Sequence, residues 1–410
     1  MHDAFLQAIL ENPDEDSPRL IYADWLEEHG DPERAEFIRV QIELAHLLEE
    51  DPWRPQLERR EKALLAEHGE EWVGLLAGVV RDWQFHRGFV EAGTLEATSL
   101  LRWADDLFRN MPLRQLKLSE AGEVLGEVSR CPYLDRLTAL NLWFCGIGVS
   151  DLQTLLSSPY LNQLRELDLA GNHLGIAGVQ ALLDSPLIGR LTVLGLGANY
   201  LDAEAAQLLA DSSSLRGLTE LAVDNNGLGV EGVEALAGSP FLAGLTRFSL
   251  GFNYAGPGIG RALAASPFLT RLRSLHLSES ELEDEGVEAL AGAAYLAGLR
   301  TLWLDSNSIT AEGVRSLVNC PQLAKLFLFD NLIGDEGAVL LSAMSHLETL
   351  DLGNCGIGDR GALALARSAQ LTRLRKLGLW TSLEGSPLVN SIGEAAAELL
   401  RERFGDRVYF

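Results

Sequence analysis

A leucine pattern that recurs along most of the chain constrains its fold more than any other feature. The template L-x-x-L-x-L-x-x-N-x-L lies on the sequence eleven times in one register, at spacings of 24 or 27 residues. Self-similarity at a fixed period is the signature of a repeat architecture, in which each unit buries its leucines against its neighbours. The eleven units begin at Leu113, Leu137, Leu164, Leu191, Leu218, Leu245, Leu272, Leu299, Leu323, Leu347 and Leu374.

Each unit predicts a short strand followed by a turn, a helix and a return loop. In the unit at Leu164, Leu167 and Leu169 alternate with polar or small residues, which is strand periodicity with one buried face. Residues 179–183 then have helical spacing, and Pro186 ends the helix. Stacked units pair their strands at about 4.8 Å, so the array predicts eleven parallel strands. Helices are wider than strands, so we expect the sheet on the concave side of an arc.

The pattern resembles that of leucine-rich-repeat proteins, closest to the ribonuclease-inhibitor-like and bacterial GALA-type repeats. Gly361-Ala362-Leu363-Ala364 reproduces the GALA tetrad, and residues 333–338 match its lead-in. The resemblance implies the α/β class and a leucine-rich-repeat horseshoe, with a parallel β-sheet on the concave face and helices on the convex face. It also implies a buried ladder after the strands, in a slot that holds Asn172, Asn199, Asn226, Asn253, Asn307 and Asn331, with Cys145 and Cys355 in two units.

The first fifty residues follow a different rule and predict a small all-α N-terminal domain of three helices. Arg-Leu-Ile-Tyr-Ala-Asp-Trp-Leu-Glu-Glu at 19–28, Gly-Asp-Pro at 30–32 and Arg-Ala-Glu-Phe-Ile-Arg at 34–39 resemble the repeat-companion domain. That module is best known from planctomycete bacteria, and the resemblance implies no particular activity. We interpret Tyr22, Asp24 and Trp25 as packing residues of the helices rather than as a peptide-docking site.

The ends of the array are expected to carry caps, because a terminal repeat would otherwise expose its leucines. Residues 52–80 predict one or two helices, 87–95 a strand and 99–108 a helix; residues 392–404 and 408–410 predict a last helix and strand. We therefore expect a companion domain at 1–50, a cap at 51–112, the repeats at 113–385 and a second cap at 386–410. No Gly/Ser/Pro-rich linker follows the first helices, so they should pack on the first repeats.

The charge of the chain excludes several classes of partner. It has 59 acidic and 33 basic residues and a net charge of −26, which disfavours nucleic acid and anionic membranes. No apolar run is long enough to span a bilayer, no secretion signal is visible, and four cysteines are too few for a disulfide framework. We expect a cytoplasmic protein. Its acidity suits a basic partner, or serves only as solubilising charge.

No motif predicts catalysis, a metal ion or a cofactor. Gly256-Pro257-Gly258-Ile259-Gly260 precedes a helix as a phosphate-binding loop would, but it falls in a turn where other repeats also carry glycine. Residues 224–227 resemble a calcium loop but lack its downstream glutamate. No Cys/His spacing fits a metal site, and no nucleophile elbow or Walker loop occurs.

The open face of the predicted sheet carries an unusual number of aromatic residues. Strand periodicity places positions 3, 5 and 7 of each unit on the concave face, with 8 and 10 on its flank. Exposed aromatic clusters usually mark an interface. The predicted protein-binding residues are Trp143, Phe144, Asp168, Tyr200, Asp224, Phe252, Tyr254, Trp303, Asp305, Phe327, Phe329 and Asp330, with Trp380 on the same face. Alternatively, some of these rings pack on one another or under a terminal cap.

These features predict a non-enzymatic scaffold or inhibitor that binds a protein or peptide with basic and apolar features, with a monomer favoured. One alternative is a structural protein that self-associates through the concave face or the N-terminal domain. Another is catalysis in the N-terminal domain, whose polar candidates are His29, His46 and His68. Trp303 and Phe327 hold the same position in neighbouring units and should stand about 5 Å apart. With Phe329, Asp305 and Asp330 beside them, they form the predicted hot spot.

Overall fold

The computed structural model describes residues 2–48, 51–381 and 388–410. The chain divides into two compact units, Met1–Leu169 and Ala170–Phe410. Residue 50 and the predicted cap boundary at 385–386 lie outside the described residues.

The first unit combines helices with five strands. Its helices are α1 (His2–Glu11), α2 (Ser17–Glu28), α3 (Pro32–His46), α4 (Arg54–Val73), α5 (Ala97–Asn110), α6 (Leu125–Val128) and α7 (Val149–Leu156). Its strands are β1 (Arg81–His86), β2 (Phe89–Glu96), β3 (Gln115–Ser119), β4 (Ala139–Asn141) and β5 (Glu166–Asp168). The strands β1 and β2 form an antiparallel hairpin, and β2 to β5 pair in parallel in chain order.

The N-terminal helices pack on β2 of the hairpin, and one ion pair reaches the first repeat, on which the missing linker predicts that they pack. Their apolar faces share one core with Phe89 of β2. The fully buried Arg19 of α2 forms an ion pair with Glu91 of β2 at 2.6 Å. Asp14 pairs with Arg114, which immediately precedes the first predicted strand, at 2.5 Å. These contacts make the helices part of the unit rather than a tethered module.

The strand predicted at residues 87–95 begins later than expected. Arg87 and Gly88 form the turn of the β1–β2 hairpin, and both have positive φ. A Cβ atom on Gly88 would lie 2.4 Å from Ile38, so glycine also lets α3 approach the turn. The prediction missed β1, although its Trp83 and Phe85 alternate with polar residues as strand residues do.

The second unit repeats strand and helix in strict alternation up to β13. Its strands are β6 (Val193–Gly195), β7 (Glu220–Ala222), β8 (Arg247–Ser249), β9 (Ser274–His276), β10 (Thr301–Trp303), β11 (Lys325–Phe327), β12 (Thr349–Asp351), β13 (Lys376–Gly378) and β14 (Val408–Tyr409). Its helices are α8 (Gly175–Asp184), α9 (Ala203–Asp211), α10 (Gly229–Ala237), α11 (Gly258–Ala264), α12 (Glu283–Ala291), α13 (Ala311–Leu317), α14 (Gly334–Leu341), α15 (Asp359–Arg367) and α16 (Glu394–Phe404). Neighbouring strands are parallel, including β14 beside β13.

The eleven strands from β3 to β13 each start two residues after the leucine that opens a predicted repeat. This confirms the register of the repeats, the α/β class and the parallel pairing of the strands. The six predicted ladder asparagines and both cysteines of that slot are buried, as expected.

Close helix packing explains the glycine-rich segment 256–260. A Cβ atom on Gly258 would lie 2.6 Å from Val230, and one on Gly260 would lie 2.1 Å from the carbonyl oxygen of Gly286. The two glycines therefore let α11 approach the helices on either side, α10 and α12. This supports the reading of the segment as a repeat turn rather than a phosphate-binding loop.

Candidate functional site

The three-residue strands of the second unit sort their side chains onto two faces. The middle residue of each strand from β6 to β13 is buried, and the flanking residues point to the opposite side. We call that opposite side the open face. The buried middle residues are Leu194, Leu221, Phe248, Leu275, Leu302, Leu326, Leu350 and Leu377.

A ladder of buried amides supports the loops that follow the strands. Asn331 is fully buried; its Oδ1 accepts hydrogen bonds from the backbone N–H groups of Asn307 (3.0 Å) and Ile309 (2.9 Å) in the preceding unit. Its Nδ2 donates to the carbonyls of Leu304 and Leu328 at 2.9 and 3.0 Å. Asn226, Asn253 and Asn307 bond to the preceding repeat in the same way, so these side chains hold the loops that carry the residues of the open face.

The ladder continues at a residue that the repeat template missed. Asn390 accepts from the N–H groups of Cys355 (3.1 Å) and Ile357 (2.8 Å) and donates to the carbonyl of Leu352. In the unit at Leu374, the template places its asparagine slot at residue 382, eight positions earlier. Asn390 is followed at once by Ser391 and Ile392, and it is the first asparagine after the strand, which is the signal that could have identified it.

One row of the open face runs across β8 to β12 and contains aromatic side chains. Trp303 pairs in register with Phe327 on one side and with His276 on the other. The Trp303 and Phe327 rings stack with centroids 5.3 Å apart and planes 7° apart, close to the predicted 5 Å. His276 meets Trp303 edge-on at 5.8 Å, and its Nδ1 shares a 2.8 Å hydrogen bond with the Ser249 hydroxyl. All three rings are partly exposed.

His276 was not among the predicted face residues, although it holds the same strand position as Trp303. Burial lowers the pKa of His276, partly offset by the carboxylate of Asp224. The ring is therefore mainly neutral near pH 7 and behaves as an extension of the aromatic row. A depression of about 260 Å³ lies beside it and is lined by Glu220, Leu221, Arg247, Phe248, Ser249, Ser274, His276 and Trp303.

A second aromatic pair lies beside the first, just beyond the ends of the strands β11 and β13. Phe329 and Trp380 stack with centroids 4.6 Å apart and planes 12° apart, although they belong to units that are separated by a third. Gly353 lies between them, and a Cβ atom there would sit 2.9 Å from Phe329 and 3.1 Å from Trp380. The missing side chain therefore allows the two rings to meet across the intervening repeat.

Carboxylates lie between and beside these two aromatic pairs. Asp305 accepts hydrogen bonds from the backbone N–H of Phe329 (2.9 Å) and the hydroxyl of Ser278 (3.1 Å). Asp351 accepts from the indole N–H of Trp380 at 3.4 Å. Burial raises the pKa of Asp305 to about 6, with Asp351 adding to the effect and the two hydrogen bonds opposing it.

Among the residues that the structure describes, these carboxylates have no basic side chain as an ion-pair partner. Among the described residues, no ion pair involves Asp305, Asp330, Asp351 or Asp224. Other acidic residues do find such partners; Glu220, for example, pairs with Arg247. The aromatic rows therefore lie beside negative charge that is left uncompensated locally.

The remaining predicted residues of the second unit lie on the flank of the face. Tyr200 and Tyr254 are 74% and 68% exposed, and Phe252 is half-buried. All three have positive φ, which directs them out of the loops after the strands. Tyr200 stacks on His173 at 5.6 Å. A Cβ atom on Gly197 would lie 2.6 Å from Asp224, so this carboxylate occupies the space that a side chain at residue 197 would need.

The predicted residues of the first unit form a small group of their own. Trp143 and Phe144 meet edge-on at 4.7 Å and are 46% and 63% exposed. Lys117 lies over the Trp143 ring at 4.8 Å, and Asp168 accepts a hydrogen bond from Asn141 at 2.7 Å. A lysine of the chain already engages this aromatic pair, whereas the Trp303 and Phe327 pair has no cationic contact among the described residues.

The N-terminal aromatic residues serve the packing of the helices, as expected. Tyr22 is buried, 5.9 Å from the ring of Phe89 and 6.0 Å from that of Trp25. Asp24 is exposed and forms a 2.7 Å ion pair with Arg39. Across the described part of the chain, no cluster of His, Cys, Asp and Glu side chains could hold a metal ion.

Comparisons with known proteins agree with the repeat pattern. A family model described as "Leucine Rich repeat" matches residues 161–183, 216–237, 269–291 and 343–366. No curated protein matches the chain in sequence. None of the helices that the structure describes is long and apolar enough to cross a membrane.

Two solved structures illustrate what the chain is similar to. The complex of Rad7 and Elc1 in yeast is 14% identical, with a TM-score of 0.42, over 95% of this chain and 92% of that one. The leucine-rich-repeat ectodomain of the Arabidopsis receptor kinase HAESA, bound to an extended IDA peptide hormone, is 19% identical, with a TM-score of 0.36, over 62% of this chain and 39% of that one. The four matched segments and the eleven strand–helix units in register show that the chain contains leucine-rich repeats.

Proposed function

We propose that the chain is a non-enzymatic scaffold or inhibitor that binds a protein or peptide through the open face of its second unit. The observation that carries this proposal is the pair of partly exposed aromatic stacks, Trp303 with Phe327 and Phe329 with Trp380, beside carboxylates without ion-pair partners. Clusters of this composition are typical of the energetic centre of an interface.

The stacks are well prepared for binding because their rings are already ordered. Each ring is stacked on its partner, and each is carried by a strand or by the segment directly after one, so little side-chain entropy remains to be lost on association. An apolar side chain of the partner could lie in the depression beside Trp303, which is also lined by Ser249 and His276. Burying such a side chain would contribute about 1.5–3 kcal/mol.

The carboxylates define the charge that the partner should carry. A Lys or Arg side chain next to the apolar contact would supply the counter-charge that Asp305, Asp330 and Asp351 lack among the described residues. Aromatic faces also attract cations, and the effect grows as water is excluded. The net charge of −26 would speed the encounter with a basic partner at low salt.

The finer assignments that rest on resemblance are also proposals. We propose GALA-type repeats in a cytoplasmic bacterial protein, organised as a repeat-companion domain (1–50), an N-terminal cap (51–112), eleven repeats (113–385) and a C-terminal cap (386–410). The motifs at residues 19–39 and 361–364 support these assignments. Sequences with the same motifs in the same order would test the arrangement.

A displayed library of random dodecapeptides tests the proposed face without a known partner. The library is panned on the full chain and counter-selected on the double variant Trp303→Ala/Phe327→Ala. We expect binders enriched in Lys or Arg next to an apolar residue, with affinity at least about tenfold weaker for the double variant. Trp53→Ala is the matched control, because Trp53 is an exposed aromatic residue of the first unit.

Melting curves and light scattering separate the competing explanations. The double variant should keep its melting temperature nearly unchanged. If it binds the selected peptides normally and melts several degrees lower, the cluster is structural, and the binding face lies elsewhere, around Tyr200, Phe252 and Tyr254. If the mass of the wild-type chain rises with concentration and that of the double variant does not, the face serves self-association instead.

A further inference from the structure

A cavity of about 440 Å³ lies in the first unit, among the helices and the hairpin, within the size range of small-molecule sites. Its floor is made of buried side chains from several elements, and its rim is polar and partly exposed. The floor includes Leu6, Tyr22, Arg34, Phe89 and Met111, and the rim includes Asp31, Glu71 and Asn110. A ligand could therefore enter past polar groups and bury an apolar part.

Arg34 is the unusual member of the cavity wall. It is 8% exposed, and its Nη2 donates to the carbonyl of Gly88 at 2.5 Å. Its Nη1 is buried and has no hydrogen-bond partner among the described residues. Four aromatic rings surround the guanidinium at 4.8–5.6 Å: Phe37, Trp72, Phe85 and Phe89. Burial lowers the pKa of Arg34 to about 10, so the group still carries its charge at neutral pH.

The other buried arginine of this unit shows what Arg34 lacks. Arg19 is fully buried and is neutralised by Glu91 at 2.6 Å. No carboxylate of the described residues forms an ion pair with Arg34. A buried cation without a counter-ion is costly, because the desolvation of its charge is not offset by attraction to an anion. The carbonyl of Gly88 satisfies Nη2 of Arg34, and the rings pack on the guanidinium, but Nη1 has no hydrogen-bond partner among the described residues.

The charges of the rim decide which ligand would complete this site. Asp31 and Glu71 both line the cavity, so a simple anion drawn to Arg34 would be repelled at the entrance. A ligand with a carboxylate for Arg34 and an ammonium group for the rim satisfies both signs. The apolar floor adds a place for a hydrophobic body. We propose that this cavity binds a small zwitterion of the amino-acid class with a large apolar side chain, either free or as a short peptide.

Calorimetry on the full chain with four commercially available probes tests the proposal. L-phenylalanine and the dipeptide leucyl-phenylalanine carry both charges. N-acetyl-phenylalanine lacks the ammonium group, and phenylalaninamide lacks the carboxylate. We expect saturable binding of at least one zwitterion, with both single-charge analogues at least about tenfold weaker. Tighter binding of the amino acid indicates a free ligand, and tighter binding of the dipeptide indicates a peptide.

Variants of the rim test where the ammonium group binds without disturbing the core. Glu71→Gln should weaken the bound zwitterion by at least about threefold and leave N-acetyl-phenylalanine unaffected. Glu70→Gln is the matched control, because Glu70 is an exposed neighbour on the same helix that does not line the cavity. The proposal is overturned if neither zwitterion binds saturably up to about 10 mM, or if N-acetyl-phenylalanine binds as tightly as phenylalanine. It is also overturned if Glu70→Gln and Glu71→Gln weaken binding equally.

Discussion

Replacing Asn226 by alanine should destabilise the second unit far more than its size suggests. The side chain is 6% exposed, and its Oδ1 accepts hydrogen bonds from the backbone N–H groups of Asn199 (2.9 Å) and Leu201 (3.0 Å). Its Nδ2 donates at 2.9–3.1 Å to the carbonyls of Leu196, Val223 and Asp224. Alanine removes all five hydrogen bonds.

The size of the effect follows from the two orphaned N–H groups. A buried donor that loses its partner costs about 1–3 kcal/mol, so the pair costs about 2–6 kcal/mol before the carbonyls are considered. Three of the five bonds reach the preceding repeat, so the loss falls on the interface between neighbours. In a repeat protein that interface is a main source of stability, and a local loss also lowers cooperativity.

Urea unfolding followed by circular dichroism and tryptophan fluorescence measures this cost. Gln207→Ala is the control, because Gln207 is exposed on α9 and its loss should change stability by less than about 0.5 kcal/mol. We expect the midpoint of Asn226→Ala to fall well below that of Gln207→Ala, with the two probes no longer coincident. Equal midpoints would refute the view that the asparagine ladder holds the repeats together.

Three further outcomes are expected from the structure. Because the folded-state pKa of Asp305 is raised to about 6 from 3.8, the folded chain binds its proton more tightly than the unfolded chain does. The stability that depends on this proton is full below about pH 4 and is lost as the pH rises through about 6. Asp305→Asn should therefore stabilise the chain at pH 7 relative to wild type by up to about 3 kcal/mol. The difference in stability should shrink towards pH 4 in urea titrations. A difference that stays constant with pH would contradict this prediction. Gly260→Ala should lower the free energy of unfolding by about 1–3 kcal/mol in the same assay, because its methyl group would strike the carbonyl of Gly286. Gly126→Ala is the control, because a Cβ atom there meets no neighbour within 4 Å. Equal effects of the two variants would argue against close helix packing. A fragment without residues 1–110 should aggregate in light scattering, because the leucines of the first repeat lose their cover, and a soluble fragment of equal stability would argue for an independent module.

The positions of the repeats could be read from the sequence because local and long-range requirements coincide there. The leucines of the template predicted the register of β3 to β13, since a shift by one would turn every leucine to the open face. The same register predicted the burial of the ladder asparagines and the stacking of Trp303 on Phe327, because parallel neighbours hold equal positions side by side. In each case the partner of a residue follows from a fixed repeat length.

Other features depended on contacts that no period encodes. The stack of Phe329 on Trp380 needs the gap above Gly353, and the last rung of the ladder is Asn390, eight residues beyond its template position. Gly88 adopts a positive φ, and the Nη1 atom of Arg34 has no hydrogen-bond partner among the described residues. Both features arise where helices meet a hairpin outside the repeats. Periodicity determines which face a side chain takes, because backbone geometry is the same in every unit. Which side chains then touch depends on the volume that each neighbour leaves free, and only the packed tertiary structure determines that volume.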